Sequence, residues 1–221
     1  MMTSDSTLPP RLTKIDDLAR PDHFYLTAED DCYFLGEYTA RKGYAFSATN
    51  QLILNFKKPV NVRGTPQWNY KERAIGDVAA SFRAAVNGEW LDTATLVPIP
   101  PSKAKTDPLY DDRLVRMLQA IRPQPAPDIR ELIVQRANMA AAHEQSNRPK
   151  PDDITANYAI EESLRNPAPQ IIGLFDDVLA AGAHFRAAAD LLKRTYPSVR
   201  IIGLFIARRV PEAADWDEID L

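Results

Sequence analysis

The chain has 221 residues, with 27 Lys and Arg against 30 Asp and Glu, and a formal net charge of −3. Its 45% hydrophobic and 26% charged residues are typical of a soluble globular domain, which excludes a wholly disordered chain. No apolar run approaches the roughly 20 residues that cross a bilayer, and the polar start predicts no secretory signal. We therefore expect a cytoplasmic protein with no membrane contact, and the acidic balance disfavours nucleic acid as a direct ligand.

Glycine, cysteine and histidine are scarce, and their scarcity excludes several kinds of site. With 8 Gly in the chain, neither the three-glycine dinucleotide fingerprint nor a P-loop can be placed. The single cysteine, Cys32, cannot form an internal disulfide, and with three histidines it offers little for a structural zinc site. The 18 Pro are typical of stiff connectors between regular elements.

The predicted elements begin after an N-terminal extension, residues 1–30. Residues 31–57 are rich in aromatic and β-branched residues and are interrupted by glycines, a pattern that predicts two or three antiparallel strands. From about residue 70 to 86, apolar residues recur at the spacing of one face of an amphipathic helix. We expect residues 31–93 to form a small β-containing hood together with this first helix.

Strands and helices then alternate through residues 94–208. Apolar runs predict four strands, at residues 95–99, 131–136, 170–175 and 199–206. Helices are predicted from about residue 114 to a stop at Pro123, and over residues 183–194. This alternation predicts an α/β core with a mostly parallel, twisted sheet flanked by helices. In such a sheet the ligand site lies at the carboxyl ends of the strands.

An acidic tail, residues 209–221, completes the organisation. A tail of this composition is usually only solvated. Trp216 within it suggests instead that the tail docks, either in a homodimer or on a protein partner.

The segment with the clearest chemistry runs from Phe175 to His184. A buried strand delivers two adjacent carboxylates, Asp176 and Asp177, and a loop of small residues then opens a helix. The backbone N–H groups of this loop and the helix N-terminus form a cradle that a phosphate can approach closely. Carboxylates accept hydrogen bonds from sugar hydroxyls or bind a divalent metal. A sugar phosphate would therefore use both the acidic pair and the loop. The alternative is that the acidic pair is only a turn and helix cap.

This segment resembles the motif with which type I phosphoribosyltransferases bind 5-phosphoribosyl-1-diphosphate (PRPP). Other stretches, in the same order, resemble the ComF-like (competence protein F) branch of that family: Leu52-Ile53-Leu54-Asn55-Phe56-Lys57, Val97-Pro98-Ile99-Pro100-Pro101-Ser102-Lys103, and the run Gln145-Ser146, Arg148 and Asn157. Asp111-Asp112-Arg113-Leu114 is a poor substitute for the family's Arg-Gly-Phe-Asn helix start. The likeness spans about residues 51–208 and implies the type I phosphoribosyltransferase fold.

The resemblance also implies a role for each matched residue, as follows. Asp176 and Asp177 would accept hydrogen bonds from the ribose hydroxyls, and Ala180, Ala181, Gly182, Ala183 and His184 would hold the 5-phosphate. Ser102 and Lys103 would face the diphosphate, while His143, Gln145 and Arg148 would lie on a flexible loop, residues 140–151, that closes over the ligand. Mg²⁺ would arrive bound to PRPP, so no metal site on the protein itself is predicted.

Two departures from the family bear on activity. Ala181 and His184 stand where the family has threonines whose hydroxyls help to hold the phosphate, and the cysteine-rich N-terminal zinc ribbon of many ComF proteins is absent. His184 either donates to phosphate, in which case protonation would make binding weaken above roughly pH 6.5, or is a partly buried histidine.

The sequence alone leaves three functions open, and it does not decide whether the chain is an enzyme. The first is a transferase that moves phosphoribosyl to or from a nitrogen base in nucleotide metabolism. Alternatively, it is a non-catalytic sensor or accessory module of the same fold, binding PRPP or a nucleotide in a DNA-uptake or phage-defence assembly. The third option is a structural subunit.

Overall fold

The computed structural model describes residues 8–139 and 149–211. The strands in these ranges are β1 (Thr13–Lys14), β2 (Asp31–Thr39), β3 (Thr95–Pro98), β4 (Asp128–Ile129), β5 (Ile133–Gln135), β6 (Tyr158–Ile160), β7 (Ile171–Leu179) and β8 (Arg200–Val210). Six of them form one sheet in the order β1-β2-β8-β7-β3-β4, in which every neighbouring pair is parallel except β1 and β2. β5 and β6 form a separate antiparallel pair.

Helices cover both faces of the six-stranded sheet. They are α1 (Ala48–Phe56), α2 (Trp68–Ala85), α3 (Gly88–Thr93), α4 (Arg113–Ile121), α5 (Pro151–Asn157) and α6 (Ala183–Thr195), with short 3-10 helices at Arg20–His23, Val60–Val62 and Glu162–Leu164. One hydrophobic core lies between the sheet and α1 to α4, and a second lies between the sheet and α5 and α6. The predicted α/β architecture with a mostly parallel sheet is therefore confirmed. None of the helices in the described ranges is long and apolar enough to cross a membrane.

The sequence Ile-Ile-Gly-Leu-Phe occurs in both central strands, and its glycines explain how the two cores approach the sheet. β7 and β8 pair one residue out of step with the repeat. Because successive residues of a strand face opposite sides, Gly173 and Gly203 open opposite faces. A Cβ on Gly173 would lie 2.5 Å from the Trp90 ring, and one on Gly203 would lie 2.8 Å from Phe185. Each glycine thus admits one aromatic ring from a helical layer onto the sheet backbone.

Residues 31–57 do not form the predicted antiparallel strands, and the hood is not a separate layer. Residues 31–39 form the single strand β2, parallel to β8 inside the main sheet, and residues 48–56 form α1. The side chain of Ser47 caps α1 by accepting a hydrogen bond from the Asn50 N–H at 3.0 Å. The apolar residues that suggested strands are spaced to bury one helical face: Leu52, Ile53 and Phe56.

Two predicted strands also end or pair differently. The segment predicted at residues 131–136 forms β5 and pairs with β6, while the two-residue β4 takes the place beside β3. The strand predicted at residues 170–175 continues to Leu179, because β8 keeps pairing with it as far as Arg208. On the other side of β7 the neighbouring strand β3 ends at Pro98, which pairs with Phe175. The acidic pair therefore lies within β7, at the point where that flank of the strand becomes free.

Candidate functional site

A pocket of about 800 Å³ opens where β3 and β7 leave the carboxyl edge of the sheet. Its wall includes the acidic pair Asp176 and Asp177, the loop of residues 180–184, and Ser102 and Lys103. The structure thus brings together in one cavity the three groups of site residues that the sequence indicated separately. The predicted flexible-loop residues His143, Gln145 and Arg148 lie outside the described residues.

The loop of residues 180–184 makes a tight turn into α6. Gly182 has φ of +90°, which favours glycine, and a Cβ there would lie 3.2 Å from the Leu26 side chain. Gly182 is also the N-cap of α6, and no side chain of the described residues caps that helix. The first N–H groups of any α-helix have no partner within the helix. In α6 these N–H groups lie at the end of the helix that borders the pocket, and such an end is suited to binding an anion.

The N-terminal segment holds this loop in place, which the sequence did not indicate. The His23 ring donates from Nδ1 to the carbonyl of Ala180, and the Tyr25 N–H donates to the carbonyl of Ala181 at 3.0 Å. Arg186 donates in turn to the Tyr25 carbonyl at 3.2 Å. Because these bonds use the loop's carbonyls, the loop is fixed with its N–H groups left for a ligand. Part of the predicted extension, residues 1–30, is therefore integral to the site.

The two carboxylates of the acidic pair have different surroundings. Asp177 is 5% exposed, and its oxygens lie 3.0 Å from Lys57 Nζ and 2.6 Å from an Arg113 guanidinium nitrogen. Asp176 accepts the Asp177 N–H at 2.7 Å and no other hydrogen bond from the described residues. Lys57 follows the end of α1 and Arg113 begins α4, so three elements meet at Asp177.

These surroundings move the pKa values of the pair in opposite directions. Burial, together with the neighbouring negative charge of Asp177, raises the pKa of Asp176 to about 7. Burial would also raise the pKa of Asp177, but Lys57 and Arg113 outweigh it and hold that pKa well below its usual range. Asp177 is therefore a fixed anion near neutral pH, whereas Asp176 is poised to gain or lose a proton.

Two further charged residues, Asp111 and Lys71, hold Arg113 and the end of α1 that precedes Lys57. Asp111 accepts from Arg113 at 2.8 Å and from the fully buried Lys71 at 2.7 Å. Lys71 also donates to the carbonyls of Phe56 at 3.0 Å and Lys58 at 2.7 Å, at the end of α1. Sequence reasoning did not include Lys57 or Arg113 among the site residues. Lys57 had a signal in the family resemblance, but Arg113 looked like an ordinary ion-pairing residue of a helix face.

The loop that follows β3 is held by hydrogen bonds with Met139 and Asn138, and it carries a lysine that has no ion-pair partner within 4.0 Å among the described residues. The Ser102 carbonyl accepts the Met139 N–H at 2.8 Å, and the Ala104 N–H donates to Asn138 Oδ1 at 2.8 Å. Lys103 makes no ion pair or side-chain hydrogen bond with residues of the described ranges, and it lines the pocket. Its positive charge acts on Asp107 and also lies at the pocket, where an anionic ligand would meet it.

His184 lies in the first turn of α6, with its ring in the pocket wall. Its Nδ1 lies 3.0 Å from the hydroxyl oxygen of Tyr158. Burial lowers the pKa of His184, so the ring is neutral at physiological pH. The interpretation of His184 as a partly buried histidine with a lowered pKa agrees with the structure, and its donation to a phosphate stays a prediction.

The donor set does not fit a magnesium site built by the protein alone. Within residues 8–139 and 149–211 there is no group of three or more His, Cys, Asp or Glu that could hold a metal ion. Asp177, the more acidic carboxylate of the pair, is already neutralised by Lys57 and Arg113.

A scan of the chain against models of protein families finds no match, and a search of curated proteins finds none either. The likeness to ComF-like phosphoribosyltransferases is therefore a resemblance of motifs. The functional conclusion depends on the pocket.

Proposed function

We propose that this chain binds a phosphoribosyl ligand, PRPP or the 5-phosphate of a nucleotide, in the pocket at the carboxyl edge of the sheet. One observation carries the proposal. The same cavity contains a helix N-terminus behind a glycine turn, a carboxylate with a pKa near 7, and Lys103; the described residues supply neither a side-chain cap for the helix nor an ion pair for the lysine. A ligand with a phosphate at one end, hydroxyls in the middle and a second anion beyond them uses all three.

The 5-phosphate would bind at residues 180–184. Backbone N–H groups at the start of α6 donate to its oxygens, and the helix dipole favours its charge. Gly182 lets the phosphate approach the backbone because no side chain projects there. The carbonyls of Ala180 and Ala181 are turned toward the N-terminal segment, so they do not repel the anion.

The ribose hydroxyls would bind to Asp176 rather than to the pair. Both oxygens of Asp177 are engaged by Lys57 and Arg113, whereas Asp176 accepts only one backbone hydrogen bond among the described residues. Asp177 would instead hold the two cations at the pocket wall. This division of labour differs from the equal roles that the family resemblance implies.

The diphosphate of PRPP would lie toward Ser102 and Lys103. Lys103 and Lys57 supply positive charge there, and Mg²⁺ bound to PRPP supplies the rest of the neutralisation that a leaving diphosphate needs. In a transfer reaction, the bond from ribose C1 to diphosphate breaks as a bond from C1 to a nitrogen base forms. The protein's contribution would be to hold the reactants and stabilise charge, without a covalent intermediate.

A second candidate is a binding module without turnover. Two features favour it over the transferase: the family's phosphate-holding threonines are Ala181 and His184 here, and Pro100 and Pro101 supply no N–H groups beside the diphosphate. Both candidates share the same ligand and differ only in whether diphosphate is released.

Thermal unfolding with and without ligands tests the proposal. PRPP with Mg²⁺ at about 100 times its Kd should stabilise the protein by about 2.7 kcal/mol, or roughly 5–10 °C in Tm. Ribose 5-phosphate should also stabilise it, and Asp176→Asn should weaken the effect of both. Release of diphosphate on adding nucleobases would select the transferase, and its absence the binding module. If none of PRPP, ribose 5-phosphate and nucleoside monophosphates raises Tm, the proposal is wrong and the structural subunit is favoured.

A further inference from the structure

A buried tyrosine contacts the histidine of the phosphate loop. Tyr158 begins β6, and its side chain is 2% exposed. Its hydroxyl has one hydrogen-bond partner among the described residues, Nδ1 of His184 at 3.0 Å. The other ring nitrogen of His184, Nε2, has no partner among them and is not one of their fully buried atoms, and His184 is a pocket-lining residue. The histidine is therefore anchored at one nitrogen and open to a ligand at the other.

The donors and acceptors of this pair indicate where the histidine proton lies. A buried hydroxyl is expected to donate its proton to an acceptor, and among the described residues the one hydrogen-bond partner of the Tyr158 hydroxyl is His184 Nδ1. Nδ1 can accept only if it carries no hydrogen, so the proton of the neutral ring resides on Nε2.

We propose that Tyr158 is a positioning residue that fixes His184 in its Nε2–H form and aims this N–H into the phosphate loop. The ligand part of this inference depends on the proposed function, whereas the tautomer does not. A neutral N–H donor would then replace one of the threonine hydroxyls that the loop lacks, at the start of the same helix.

The arrangement also opposes protonation of the histidine. A proton on Nδ1 would face the Tyr158 hydroxyl and leave that hydroxyl without its acceptor. Around the ring, Lys57 disfavours a positive charge and Asp177 favours it, while burial disfavours it most. Burial, together with the nearby Asp176, raises the pKa of the Tyr158 phenol, which stays protonated. Phosphate binding should therefore not follow a histidine titration above roughly pH 6.5, contrary to the expectation from sequence.

Nitrogen-15 NMR of the ligand-free protein tests the tautomer directly. His184 resonances are assigned by their loss in His184→Gln. At neutral pH we expect a protonated-type shift at Nε2 and an unprotonated-type shift at Nδ1. Tyr158→Phe should lose this preference and show a mixture of tautomers. A wild-type ring protonated at Nδ1, or a charged ring at neutral pH, would overturn the inference whether or not any ligand binds.

Ribose 5-phosphate titrations test the consequence for binding. Tyr158→Phe should weaken affinity at about pH 7.5 by roughly three- to tenfold, as expected for one misaligned hydrogen bond. The matched control is Tyr196→Phe, which removes another buried hydroxyl, donated to the Arg165 carbonyl at 2.9 Å at the far end of α6. Its affinity should be unchanged. Equal affinity of wild type and Tyr158→Phe would refute the positioning role. Failure of the wild type to bind ribose 5-phosphate would count against the proposed function and leave the tautomer result standing.

Discussion

Asp176 and Asp177 are adjacent in the chain yet should respond to substitution in opposite ways. Asp177 is an ionised carboxylate held by Lys57 and Arg113, so its removal takes the carboxylate partner from Lys57 and leaves Arg113 with Asp111 alone. Asp176 is a partly buried carboxylate beside a negative charge, so its ionisation works against folding.

We expect Asp177→Asn to destabilise the protein by about 2–4 kcal/mol near neutral pH, less than the usual cost of an isolated buried charge, because Arg113 keeps Asp111 and the Lys57 side chain is 46% exposed. Asp176→Asn should be stable and should bind PRPP more weakly. The exposed ion-paired Asp92→Asn, next to Arg122, is the control and should cost about 1 kcal/mol or less. Urea unfolding of the three variants measures these differences. Equal costs for Asp176→Asn and Asp177→Asn would contradict the assigned roles.

The stability of Asp176→Asn relative to wild type should also depend on pH. The folded pKa of Asp176 is about 7, raised from 3.8, so the folded state binds an extra proton between these values. The stability contributed by that proton is full below about pH 4 and is lost as the pH rises through about 7. Asp176→Asn cannot lose it, so its stability should improve relative to wild type across this interval. A constant difference from about pH 4 to 8 would show that Asp176 has an ordinary pKa.

Gly182 is the residue on which the shape of the phosphate loop depends most. Its φ of +90° is unfavourable for any residue with a Cβ, and that atom would press on Leu26. Gly182→Ala should therefore cost about 1–2 kcal/mol and abolish ribose 5-phosphate binding. The control is Gly76→Ala, on an exposed face of α2 with no atom within 4 Å of the new Cβ, which should stabilise the protein by roughly 0.5–1 kcal/mol. Retention of binding by Gly182→Ala would mean that the phosphate lies elsewhere.

At the scale of elements, Lys71 ties the end of α1 to α2 and α4. Its amino group satisfies two carbonyls at the end of α1 and the Asp111 carboxylate at once. This contact sets the position of Lys57, which lies between those two carbonyls in the chain.

Lys71→Met should therefore both destabilise the protein and weaken ligand binding. We expect a loss of about 2–4 kcal/mol, less than for a fully isolated charge because Asp111 keeps its bond to Arg113. Lys58→Met is the matched control at the same end of α1; its amino group contacts the partly exposed Tyr44 and Tyr70 rings, and its loss should cost about 1 kcal/mol or less. Chemical denaturation and PRPP titration of both variants are the measurements. If Lys71→Met and Lys58→Met lower stability and PRPP affinity equally, Lys71 does not fix the position of the end of α1.

The elements whose apolar residues follow a clear pattern were predictable from the sequence. The elements whose structure depends on contacts with distant segments were not. α2, α4 and α6 show helical spacing of apolar residues, and β3, β7 and β8 are apolar runs bounded by polar residues. α1 was missed because its aromatic and β-branched residues also suit strands, and the cap at Ser47 was overlooked. β5 pairs away from the main sheet because of its contact with β6, which no local pattern reveals.

At the scale of the whole molecule, the pocket shows why the sequence predicted some residues of the site and missed others. The phosphate loop and the acidic pair are contiguous in the chain, so a local motif indicates them. The cations are not: Arg113 and Lys57 lie 64 and 120 positions from Asp177 and meet it only through folding. For the same reason a net charge of −3 gave no sign of the cations that line the cavity. The predicted docking of the acidic tail concerns residues outside the described ranges from position 212 onward, and it stays a prediction.

The most direct test of the central claim is a map of the amide groups that respond to ribose 5-phosphate, recorded by ¹H–¹⁵N NMR. The account predicts the largest shifts at the N–H groups of residues 181–184, with smaller ones at Asp176 and Asp177, and their loss in Gly182→Ala. Inorganic phosphate should move the first group alone, because it lacks the sugar that reaches Asp176. Shifts centred elsewhere, such as the small cavity beside Asp31 and Arg200, with no change at residues 181–184, would contradict it.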